Sequence, residues 1–69
     1  MPLMFGTKGE TYEIRRITGN AETKKHLTDL GFNVGGKVTI VNTIEGGLIV
    51  TVKETRVALD KTLALRIEI

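Results

Sequence analysis

The chain contains no cysteine and no serine, and only one histidine, His26, among its 69 residues. Lack of cysteine removes disulfides, thiolate metal ligands and thiol nucleophiles together, and it suits a cytosolic setting. Lack of serine, with a lone histidine, removes most of the inventory from which a nucleophile and its positioned base are built. The composition therefore argues against an enzyme. Long apolar runs are missing as well: with proline counted as an interruption none exceeds three residues, as in Leu48-Ile49-Val50 and Leu63-Ala64-Leu65, whereas a spanning helix needs about 20. No insertion into a membrane is expected. Met1 to Phe5 is apolar, but it is too short for a secretory core and is followed at once by Gly6. Charge of one sign is also scarce, since 10 Lys and Arg against 8 Asp and Glu leave a net +2. That imbalance is too small to name a polyanionic partner. Tryptophan is absent, and Phe5, Tyr12 and Phe32 are the only aromatic residues. Base stacking along a basic groove has little to work with.

What remains is the composition of a small globular protein, 41% apolar and 26% charged. Its length corresponds to one domain, residues 1–69, and a chain of this size buries roughly 60% of its unfolded surface. Thr11 to Ile17 alternates Tyr12 and Ile14 against Glu13 and Arg15, which predicts a first strand. Ile17 breaks the alternation and marks a bulge or bend there. Asn20 is placed to cap a helix over about Ala21–Leu30, with Glu22 in its first turn. Thr23, Leu27 and Leu30 form its inward stripe, and Lys24, Lys25 and Asp29 point outward. Gly31 then falls where a left-handed residue closes a helix, with Phe32 set to pack back on Leu27.

Gly35 and Gly36 make a second turn before a strand at Val38–Val41. Glu45-Gly46-Gly47 separates that strand from Leu48–Val52, the spacing of a hairpin. Arg56–Leu59 is a further short strand, and Asp60–Ala64 a tight or single helical turn. Leu65, Ile67 and Ile69 alternate with Arg66 and Glu68 in a closing strand. Five short strands with glycine-bearing turns and one short α-helix between the first two predict a mainly β, partly open small barrel, which hides edges that a flat sheet would expose.

The run Leu27-Thr28-Asp29-Leu30-Gly31-Phe32-Asn33-Val34-Gly35, followed by Val38 to Val41, resembles the ferrous iron transport protein A family, the FeoA-like domains. Ile17-Thr18-Gly19, Val57-Ala58-Leu59, Ala64 and Ile67-Glu68-Ile69 extend the likeness over nearly the whole chain. The family usually has proline just before the second glycine, where Val34 stands here. The resemblance implies an SH3-like five-stranded barrel. It also implies a cytoplasmic accessory of ferrous iron uptake that acts by contact with the G-protein domain of a membrane ferrous iron permease, FeoB-like. Similar domains end iron-dependent repressors, where they make protein contacts. Within the motif, Leu27, Leu30, Gly31, Phe32 and Gly35 read as mainly structural.

For partner binding the sequence offers two faces. One is the helix and its exit, with Lys24, Lys25, Leu27, Phe32 and Asn33. The other is the loop Glu45, Gly46, Gly47, Leu48. A metal reading has only Glu22 and His26, at i and i+4, with Lys24 and Lys25 beside them to repel a cation. No cofactor is required, a transition metal ion such as ferrous iron being the one the resemblance suggests. A metal-binding regulatory module and a nucleic-acid-binding barrel are the alternatives. No nucleic acid partner is expected. Gly35-Gly36 and Gly46-Gly47 lack the Gly-x-x-x-x-Gly-Lys-Ser/Thr pattern and read as turns.

Overall fold

The computed structural model describes residues Met1–Ile69. After a 3-10 turn at Leu3–Phe5, strands β1 (Thr11–Glu13) and β2 (Arg16–Ile17) lead to helix α1 (Ala21–Asp29). Strands β3 (Lys37–Ile44), β4 (Gly47–Val52) and β5 (Thr55–Asp60) follow, then helix α2 (Lys61–Ala64) and strand β6 (Ile67–Glu68). The strands form a four-stranded antiparallel sheet in the order β1-β3-β4-β5 and a two-stranded sheet of β2 and β6.

The predicted first strand is therefore two strands serving two sheets. Ile14 N donates to Gly36 O (2.8 Å), still on the β3 side, whereas Arg15 N donates to Glu68 O (2.8 Å), on the C-terminal strand. The corner lies between these two residues and not at Ile17. A strand that switches sheets in this way turns a flat sheet into a curled, partly open barrel. A second irregularity was invisible in the sequence: Ile40 pairs with Val50 but Asn42 with Ile49, so Val41 is an extra residue that bends the long strand β3.

Twelve apolar residues fill the interior, with no polar or charged residue buried among them. Val38, Ile40, Leu48, Val50 and Val52 come from the inward faces of β3 and β4, which follow the two-residue period. Leu27 comes from α1, Phe32 from its exit and Ile67 from β6. The N-terminal segment contributes Leu3, wholly buried, and Met1 and Ile69 exchange backbone bonds, Ile69 N to Met1 O at 2.7 Å. The chain's two ends thus close the small sheet.

Local chemistry explains the element ends. Asn20 Oδ1 accepts from Thr23 N (2.8 Å), the side-chain cap expected for α1, and Asp60 Oδ1 accepts from Leu63 N (2.9 Å), a cap for α2 that the sequence reading did not name. Helix α1 stops at Asp29, with Leu30 as its cap, one residue short of the sequence expectation. Phe32 N bonds to Leu27 O (3.0 Å) and Gly31 N to Thr28 O (2.9 Å), with Gly31 at φ 109°. These are the paired closing bonds of a Schellman ending. At the other end of the chain, Leu65 caps α2 and only Ile67–Glu68 is strand, so the closing strand is shorter than its alternation suggests.

Candidate functional site

Helix α1 presents Lys24, Lys25 and His26 to solvent and buries only Leu27. Lys25 Nζ pairs with Asp29 Oδ2 at 2.9 Å, an exposed i,i+4 pair of small energetic weight. Lys24 has no ion partner. Two residues expected on this contact face are not on it. Leu27 and Phe32 have no exposed surface, because the same closing turn that ends the helix drives Phe32 under it. Asn33 stays half-buried, its Nδ2 donating to Gly31 O at 3.4 Å.

The hairpin tip divides in the same way. Glu45 and Gly46 are exposed and form the two-residue connection of β3 to β4, while Ile44 pairs with Gly47. Gly47 and Leu48 belong to β4 and are buried, so they drop out of the second expected face. A Cβ on Gly47 would overlap the carbonyl oxygen of Leu59 on β5, which is why the sheet accepts only glycine there.

The structure brings the hairpin tip, Glu45 and Gly46, beside His26 and Leu30 of the helix and its cap, whereas Lys24, Lys25 and Asn33 lie outside the resulting groove. An open groove of 440 Å³ runs between α1, the β3–β4 tip, the end of β5 and α2. Leu30, Ile44, Leu59 and Leu63 give it apolar walls, and His26, Glu45 and Asp60 are its ionisable lining. Ile44, Ala58, Leu59, Asp60 and Leu63 were missed from the sequence as site residues. A usable signal existed in Ile44, an apolar residue closing a polar strand end and still 38% exposed.

No three His, Asp or Glu side chains converge into a set that could hold a metal ion. Glu22 and His26 are both exposed on α1, and His26 faces the groove. Of the three aromatic rings, Phe32 is buried and Tyr12 is half-buried with its hydroxyl accepting from Thr7 N at 2.8 Å. Phe5 alone stays largely exposed, which leaves one ring where stacking of successive bases needs several.

Over residues 1–69 the chain matches the FeoA domain profile. It belongs to the FeoA family. The candidate Fe(2+) transport protein A of Methanocaldococcus jannaschii is 27% identical over 66 residues, spanning 96% of this chain and 80% of that protein. A crystal structure of an FeoA iron uptake regulatory protein superposes with a TM-score of 0.88 at 26% identity, covering 96% of this chain and 88% of the other. Stenotrophomonas maltophilia FeoA, crystallised with zinc and described as a prokaryotic SH3 domain protein, gives 0.84 at 26% identity over 99% of this chain and 87% of its own. The SH3-like, partly open barrel expected from the sequence is thus the fold of this FeoA, and the family's association is with ferrous iron transport. No helix of this FeoA is long and apolar enough to cross a membrane.

Proposed function

We propose that this FeoA is a cytoplasmic accessory of ferrous iron uptake that works by protein contact, engaging the G-protein part of a membrane ferrous iron permease and performing no catalysis itself. The observation that carries the reading is the groove: a 440 Å³ opening with mixed apolar and acidic lining, on a chain without a converging metal set or a catalytic constellation. Such a surface suits recognition of another protein, and iron enters as the permease's cargo and not as a ligand of this chain.

A pull-down from native membranes with tagged full-length chain tests it. The permease is the expected prey, captured equally with and without chelator. Failure to recover the permease at any protein concentration overturns the reading. Recovery only in the presence of added ferrous or manganous ion, together with a metal-dependent rise in melting temperature, would replace it with a metal-sensing one.

A further inference from the structure

Strand β5 is the outer strand of the four-stranded sheet and bonds to β4 on one side only. All of its residues, Thr55 to Asp60, keep one continuous register with β4, with neither a bulge nor a proline to spoil the edge. The phase of this ladder is set by the bond from Lys61 N to Gly46 O (2.8 Å) just beyond it. Bonded and non-bonded pairs alternate in an antiparallel ladder. Leu59, Val57 and Thr55 therefore turn their backbone groups toward β4, and Asp60, Ala58 and Arg56 turn theirs away. No hydrogen bond from a loop, cap or side chain reaches the amide or carbonyl of Ala58 or Arg56, and both residues are exposed. A free edge of this kind is a template for another strand.

That edge opens on the groove. Ala58 and Asp60 line it together with Leu30 of α1 and Ile44 of the hairpin tip. Glu45 and Asp60 supply its carboxylates, and neither is in an ion pair. Asp60 uses one oxygen as the α2 cap and keeps the other. Added strands gain affinity from main-chain bonds and specificity from pockets that take alternate side chains.

We propose that the β5 edge and the groove together receive one extended segment of a partner protein. The segment adds as a strand at Arg56 and Ala58, seats an apolar side chain against Leu30, Ile44 and Leu63, and sets a lysine or arginine against Glu45 and Asp60. This rests on the reading that the chain acts by protein contact and names the face and the chemistry of the segment it takes.

Full-length permease in lipid nanodiscs, added to the ¹⁵N-labelled chain, tests both levels. Amide broadening is expected to be strongest at Leu30, Ile44, Glu45, Arg56 and Ala58. Ala58→Pro removes only an outward amide, at an edge position where proline is tolerated, and is expected to weaken binding about tenfold. Should that variant fail to fold, Glu45→Lys with Asp60→Asn serves instead. Asparagine keeps the α2 cap, so this pair is expected to fold, to bind more weakly and to lose salt dependence. Broadening centred on Lys24 and Lys25, or on Met1 and Phe5, with Ala58→Pro binding like the parent, overturns the proposal and leaves the contact reading standing. Absence of any permease binding overturns both. A sedimenting dimer of the free chain that Ala58→Pro abolishes, with permease binding unchanged, assigns the edge to a second copy and also overturns the proposal.

Discussion

Two glycines separate two physical reasons for the same residue. Gly31 sits at φ 109°, but a Cβ there would meet nothing closer than Val52 Cγ1 at 3.6 Å, an ordinary contact. Gly31→Val is therefore expected to lose only the backbone term, about 1–2 kcal/mol. Gly47 has no left-handed φ, yet its Cβ would overlap the Leu59 carbonyl and lie 3.0 Å from Asp60 Cα. Backbone cannot rotate away as a side chain can, so Gly47→Ala is expected to lose about 3 kcal/mol, the upper range for overpacking. Urea midpoints should fall in the order parent, Gly31→Val, Gly47→Ala, and the reverse order of the two variants would contradict this division. Gly31 was legible in the sequence because the helix stripe ends just before it. Gly47 was not, because the atom that excludes a side chain belongs to Leu59, a dozen residues on, and only strand pairing brings it there.

Among the elements, the β4–β5 hairpin shows most clearly what local chemistry conceals. Its loop is Lys53–Glu54, both in the left-handed region at φ 50° and 64°. Such two-residue turns usually carry Asn-Gly. With charged residues in their place, the stretch offers no turn signal at all. The core and the register impose the turn, at some conformational cost. Replacing Lys53-Glu54 by Asn-Gly is expected to relieve that cost and stabilise the chain by about 1 kcal/mol, raising Tm by roughly 4–8 °C in a domain of this size. Unchanged or lower Tm in calorimetry would show that the loop is not under strain. The Asn20 cap, in contrast, was readable because it acts over three residues, and the Asp60 cap found on α2 works over the same span: Asn20→Ala and Asp60→Ala should each lose about 1 kcal/mol in denaturant titrations. Equal midpoints for either variant and the parent would remove that cap from the stability of its helix.

For the whole molecule, closure depends on residues that look dispensable in the sequence. Leu3 lies in a short apolar lead segment, yet it is wholly buried, in a turn that packs near α2. Leu3→Ala is expected to lose about 2–5 kcal/mol, a large share of the roughly 3–10 kcal/mol that a chain of this length commands. Thermal unfolding should show Tm lower by at least ~10 °C. A shift of only a degree or two would mean that the N-terminal segment is peripheral to the fold.

The stretch from Leu27 to Gly35 and the alternating strands identified the family and the fold, because capping, helix closure and two-residue alternation act between residues close in the chain. Those same signals misplaced Leu27, Phe32, Gly47 and Leu48 on a binding surface, since their burial depends on what folds over them. The division of the first strand between two sheets, the bulge at Val41, the free edge of β5 and the groove from His26 to Leu63 were decided by the tertiary structure alone. Each is a relation between segments distant in sequence, and only packing around the common core fixes such relations.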